Sequence, residues 1–320
     1  MSDSSSLSKD IASNQGSKQK LMGLFHLLVM YIVWGSTYLA IRVAVREGSG
    51  FPPFSMGATR LLLAGSLLLL GCALTRQKLK LSKYELTVLA LTGILLWFGG
   101  NGLVTWAEQH TDSGYTALLV STVPIWVAVI EALLDRKMPS KLLVLALLTG
   151  FAGIGLLTAP LLKYGTEFDL LSVPILIIGT VSWSAGMLYQ SRRPVALNLF
   201  VSSGYQQIFG GMGFAIMSIL LREPVPNPST EAWLAWGYLL VFGSIFAFTS
   251  FLKAIRLLPA NIVATYAYVN PVIAVFLGWL ILHEPVGVRT IASMLLVLLG
   301  AAGCCWVPLG VAGVFRSQNL

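Results

Sequence analysis

The chain has 320 residues, of which 56% are hydrophobic and 11% charged, and its net charge is +8. Globular domains carry about 25% charged residues, and runs such as 61–70 and 295–299 offer no polar face, which excludes a soluble bundle of amphipathic helices. The apolar runs are continuous rather than alternating, which excludes a β-barrel, and no loop is long enough to turn the basic balance into a nucleic-acid surface.

A hydrocarbon core of about 30 Å needs about 20 mostly apolar residues per helix. Ten stretches answer to this, at 24–45, 54–74, 86–106, 115–134, 142–159, 172–190, 203–221, 234–254, 262–282 and 290–308. Residues 1–22 are polar and Ser-rich, have no short apolar segment ending in a cleavage site, and read as a disordered cytoplasmic tail. Residues 310–320 read as a second tail. The expectation is an all-α, multi-pass integral membrane protein with ten transmembrane helices.

Counting the N-terminus as cytoplasmic and alternating sides, fifteen Lys and Arg fall inside, among them Arg76, Lys78, Lys80, Arg136, Lys137, Arg192 and Arg193. Five fall outside (Arg42, Arg46, Lys163, Arg222 and Arg289), and Arg60 lies within a span. This bias predicts cytoplasmic N- and C-termini. The basic pI is a topology signal.

Five spans precede Pro160 and five follow it. A shift of 147 positions superposes Ala117 on Ala264, Pro124 on Pro271, Leu133 on Leu280 and Gly153 on Gly300. The halves 23–160 and 170–309 therefore read as repeats. An odd number of spans in each would insert them in opposite senses, a plan recurrent in secondary transporters.

Polar residues inside spans must face protein or a water-filled cavity. In chain order, span one carries the stripe Tyr31, Trp34, Tyr38 and Arg42, and span two carries Arg60. Span three carries Trp97, Asn101, Thr105 and Glu108; span four has Ser121, Thr122 and Pro124. Span six has Trp183, Met187 and Gln190, and span nine has Tyr266, Asn270 and Pro271.

One reading is a pocket for a small amphiphilic molecule, walled by Trp34, Tyr38, Trp97, Asn101, Thr122, Trp183, Tyr266 and Asn270. The other is interhelical packing glue. Pro124 and Pro271 are candidate hinges, because each frees a carbonyl four residues earlier. Arg60 either attracts an anionic substrate group or pairs with Glu108, since a buried Arg without a partner is costly. Glu131 is explained by local pairing beside Arg136 and Lys137.

Several patterns are missing. No carboxylate occupies the middle of a span, and there is no GxxxxGK[ST], HExxH or GxSxG. Cys72, Cys304 and Cys305 make no metal or disulfide framework. No cofactor and no metal are called for.

The segments 34–42 (WGSTYLAIR), 100–109 (GNGLVTWAEQ) and 265–279 (TYAYVNPVIAVFLGW), with Arg60, Pro124, the 181–183 VSW and Glu284, resemble the EamA branch of the drug/metabolite transporter superfamily. Among its members the chain is most similar to inner-membrane exporters. The resemblance spans 24–308. It implies two inverted five-helix EamA repeats around a central cavity, and export of amino acids, metabolites or drugs. The family's span-two Arg falls on Arg60, its span-one Trp on Trp34, and its span-nine Tyr-x-x-x-Asn-Pro on Tyr266, Asn270 and Pro271. One departure is that Arg136 and Lys137 stand where many relatives have Glu after span four, which leaves Glu284 without a counterpart in register.

The expected function is thus a secondary, ATP-independent transporter of small amphiphilic solutes in the inner (cell) membrane, in contact with lipid and with no nucleic-acid partner, as a monomer or homodimer. It would work by alternating access around helices one, three, four, six, eight and nine. The alternatives are a membrane-embedded enzyme on lipid-linked substrates and a non-transporting membrane sensor.

Overall fold

The structure, a computed structural model, describes residues 3–109, 116, 119–164, 171–282 and 286–306, and no strand occurs among them. In chain order the helices are α1 (Asp3–Val45), α2 (Pro53–Leu74), α3 (Lys83–Ala107), α4 (Val123–Asp135), α5 (Lys141–Tyr164), α6 (Ser172–Arg192), α7 (Leu199–Leu220) and α8 (Thr230–Leu257). Then come α9, in two pieces (Ala260–Ala264 and Tyr266–Leu282), and α10 (Val288–Trp306). The 165–170 connection, Glu284 and the 310–320 tail lie outside the described residues.

By length and composition five helical stretches can cross a membrane: Gly16–Val45, Pro53–Leu74, Lys83–Ala107, Ser172–Arg192 and Thr230–Leu257. Two shorter apolar ones are Lys141–Leu157 and Val288–Cys304. The tail read as disordered is instead helix from Asp3 onward, continuous with α1. Physically, no proline interrupts the backbone ladder between Asp3 and the first apolar turn, and Gly16 alone costs a helix only about 1 kcal/mol.

Local chemistry sets the helix starts. Ser82 and Glu85 form a reciprocal capping box at α3, Asn198 caps α7 and Ser229 caps α8. At α2, Pro53 takes the first turn, and the Glu223 carboxylate accepts from the Phe54 and Ser55 amides at 2.9 and 2.7 Å. An anion there satisfies orphan donors and meets the positive helix end.

These contacts also define two ends of the bundle. At one end the Asn227 and Ser229 amides donate to the carbonyls of Gly50 and Ser49, and Arg46 pairs with Glu231. At the other, Arg192 reaches Asp135, Asn198 reaches Gln77, and Arg256 donates to the Leu197 carbonyl. The second end holds Arg76, Arg136 and Arg193 as well, so basic residues crowd one face.

Packing repeats between the halves. Helix α2 packs on α7 and α5 on α10; α3 meets α6 as α8 meets α1, and α4 meets α6 as α9 meets α1. Exchanging each helix for the one five places on reproduces these pairings. Glycines make the α2–α7 and α5–α10 contacts close: a Cβ on Gly65 would lie 2.7 Å from the Gly204 carbonyl oxygen, and one on Gly300 would lie 2.4 Å from the Gly150 backbone. Small residues that let backbones approach are how helices associate where lipid removes the hydrophobic drive.

Helices α3 and α8 share a second trait. Each contains a nine-residue π-helical stretch, Ile94–Gly102 and Leu239–Ala247, beginning 145 positions apart. Such stretches are rare and concentrate at functional sites. Side chains from elsewhere bond to carbonyls of both: Ser182 Oγ donates to Leu95 at 2.9 Å and Gln207 Nε2 to Ser244 at 3.1 Å.

Candidate functional site

Between the two π-helical stretches lies a cavity of about 690 Å³, counting its open mouth. Trp34 and Tyr38 enter it from α1, one turn apart; Trp97 and Asn101 come from the π-helical stretch of α3, Trp183 from α6, and Tyr266 and Asn270 from α9. Seven of the eight residues expected to wall a pocket therefore meet in one place. Thr122 does not line it, because its hydroxyl turns back onto the Leu119 carbonyl at 2.6 Å; Val120 and Val123 line the cavity from that side.

The aromatic rings form a connected set. Trp34 meets Trp183 edge-on at 5.6 Å between centroids and Tyr266 edge-on at 5.0 Å, and Trp97 meets Trp183 at 6.4 Å. Trp34 Nε1 makes a long 3.4 Å bond to the Gly243 carbonyl in the α8 π-helical stretch. Asn270 is fully buried, yet neither atom of its amide has a hydrogen-bond partner; the indole N–H groups of Trp97 and Trp183 have none either. The Tyr38 hydroxyl interacts with Asn270, and that of Tyr266 with Trp183, both short of hydrogen-bond geometry. Buried polar groups are normally satisfied, so unpartnered ones facing a cavity mark where a ligand's polar atoms fit.

Arg60 also lines the cavity, which draws in α2, a helix outside the expected wall. It is 2% exposed. Its Nη2 donates to Asn101 Oδ1 at 2.5 Å, its guanidinium lies 5.6 Å from the centroid of the Trp97 ring, and its Nε has no acceptor. The pairing with Glu108 that burial suggested does not form. Glu108 sits at the end of α3, seven residues beyond Asn101 and so about 10 Å further along the axis. There its backbone carbonyl accepts from Arg42 at 2.7 Å, while neither carboxyl oxygen has a hydrogen-bond partner. Glu131 lies 4.0 Å from Arg192.

The two prolines differ. Pro124 falls in the first turn of α4, directly after the turn at Ser121 and Thr122, whereas Pro271 lies inside the longer piece of α9. The break in α9 comes earlier, at Thr265, whose hydroxyl donates to the Ile262 carbonyl and meets that of Tyr31 at 2.6 Å.

Sequence reasoning missed the glycine part of the wall: Gly100, Gly179 and Gly243 line the cavity. A Cβ on Gly100 would lie 2.8 Å from the Trp183 ring. The signal available was the 99–102 GGNG run. Glycines so dense inside an apolar span mark close approach or open space.

A family model described as the EamA-like transporter family matches the chain twice, over residues 21–159 and 170–305. The uncharacterized inner membrane transporter YedA of Escherichia coli (strain K12) is 36% identical over 263 residues, 81% of this chain and 83% of that protein. The uncharacterized transporter YoaV of Bacillus subtilis (strain 168) is 23% identical over 86% of this chain and 93% of its own length. Protein PecM of Dickeya dadantii (strain 3937) is 27% identical, covering 83% and 88%. A protein of known crystal structure shares the fold with a TM-score of 0.70 at 21% identity, over 90% of this chain and 96% of that one.

Proposed function

This chain belongs to the EamA-like transporter family, and we propose that it is a secondary exporter of small amphiphilic metabolites, amino acids or drugs. It works by alternating access in the inner (cell) membrane, with both termini cytoplasmic. The observation that carries this reading is the cavity, whose walls come from both halves of the chain and whose buried amide and indole groups await partners. Relatives named as transporters support transport over chemistry on a lipid-linked substrate.

Ten helices cross the bilayer as two inverted repeats of five. The double family match and the exchange of helix pairings between halves support this. The basic end, with Arg76, Arg136, Arg192 and Arg193, faces the cytoplasm. The cavity then runs from mid-depth, at Trp34, Trp183 and Tyr266, toward the outer end, past Ile41 and Val104, in an outward-facing state. Trp34, Tyr38, Trp97, Asn101, Trp183, Tyr266 and Asn270 bind the solute, and Pro271 is the hinge of α9.

Reconstitution into proteoliposomes with a solute found by resistance screening tests the site. Asn270→Ala and Trp34→Ala should each lower the flux about ten-fold or more. Unchanged flux in both removes the site. Placing engineered thiols in the 163–169 connection tests the topology, since labelling from the cytoplasmic side overturns the inverted arrangement.

A further inference from the structure

Arg60 gives the cavity a sign. Among its described lining residues Arg60 is the one side chain charged at neutral pH, for the others are apolar, amide, hydroxyl, indole or phenol groups. The nearby acid, Glu108, lies outside the lining and interacts with Arg42 and with Tyr38 of the wall, not with Arg60. Arg60 itself is held by a neutral acceptor, Asn101 Oδ1, with its Nε unmatched. A buried guanidinium so placed has no ion-pair partner among the described residues, and such a charge is expensive unless something pairs with it.

We infer that the solute supplies that charge: the cavity takes organic monoanions, carboxylates on an aromatic or branched apolar body, and rejects cations of the same shape. This rests on the transport reading and narrows its substrate class. The carboxylate lies against Arg60, which offers the planar fork that suits a carboxylate. The body lies against the connected rings of Trp34, Trp183 and Tyr266, where only uncharged donors and acceptors line the wall. An amine in the same position meets like charge in a desolvated pocket, the arrangement by which interfaces suppress wrong partners.

The test uses the purified full-length protein in detergent and isothermal titration calorimetry with three probes of one body: 3-phenylpropionate, 3-phenylpropionamide and 3-phenylpropylamine. The wild type should bind the carboxylate at least about ten-fold more tightly than the amide, and the amine most weakly. Arg60→Gln should bring carboxylate and amide to within about two-fold of each other, and Arg60→Lys should keep the order with a smaller ratio. If Arg60→Gln does not fold, the wild-type order and Arg60→Lys decide. Equal affinities, a preference for the amine, or no binding of any probe at millimolar concentration overturns the inference. Carboxylate binding without flux in proteoliposomes sinks the transport reading and leaves this one standing. Flux favouring the amine does the reverse.

Discussion

Asn270 offers the sharpest test at the scale of a single residue. Its amide is fully buried and meets the Tyr38 hydroxyl short of hydrogen-bond geometry, so much of the cost of desolvating a polar group, about 1–3 kcal/mol, is not recovered. Asn270→Leu, close in volume, should therefore leave the thermal midpoint in detergent unchanged or higher while flux falls about ten-fold or more. A lower midpoint with normal flux would make Asn270 packing glue. Gly100 supplies the converse case. A side chain there meets the Trp183 ring at 2.8 Å, so Gly100→Val should fill cavity space and weaken probe binding in the calorimeter. The sequence made Trp34, Tyr38, Trp97 and Asn270 legible because aromatic and amide groups inside apolar spans stand out. It misled at Thr122, whose hydroxyl has a local carbonyl to satisfy, and at Arg60, whose partner depends on which turn of a neighbouring helix lies at its depth.

Helices carry the next level of argument. The matching prolines were legible from the sequence, but their settings were not, because a first-turn proline and an interior one look alike in a string of letters. Pro124→Ala should be nearly silent, since the N–H it restores has no intrahelical acceptor at that position. Pro271→Ala restores a donor for the Ala267 carbonyl inside α9 and should raise the thermal midpoint while slowing flux, the mark of a hinge made stiff. The π-helical stretches at Ile94–Gly102 and Leu239–Ala247 had no readable signature beyond glycine density. Close packing of α5 on α10 was half legible: Gly153 and Gly300 matched in register, but the structure sets Gly300 against Gly150. Gly300→Val, with its Cβ about where the Gly150 backbone lies, should destabilise by about 1–3 kcal/mol, read as a lower midpoint by fluorescence-detected gel filtration.

For the whole molecule the issue is how the basic end closes. Arg192 grips Asp135 in a two-pronged contact at 2.6 and 2.8 Å, tying the end of α6 to that of α4. This hydrogen bond to Arg192 holds the Asp135 carboxyl below its ordinary value of 3.8. A depressed carboxyl value means the tie is intact above that value and is lost only as pH falls through the lowered one. Access from the basic end should thus be flat between about pH 5 and 8, a window above even the ordinary Asp value. Asp135→Asn should open it at neutral pH, measured as faster labelling of a Val120→Cys thiol, in an otherwise cysteine-free chain, by an impermeant reagent applied from the basic side alone. Because the pair is partly exposed, the same change should cost the fold no more than about 1 kcal/mol. The membrane class was plain in the sequence because the length of an apolar run is a one-dimensional quantity. The meeting of Arg60 with Asn101 was not, since it depends on contact between residues forty-one positions apart.

The partnership of α2 with α7 and of α5 with α10 has an unexpected corollary. Each half buries its glycine-lined seams only on the other, so neither is a self-sufficient folding unit, and the link joining them is a convenience of synthesis. Genes encoding 1–167 and 168–320 as separate polypeptides should yield, when translated together, a nicked protein that purifies as one complex and still moves solute, whereas either fragment made alone should be degraded.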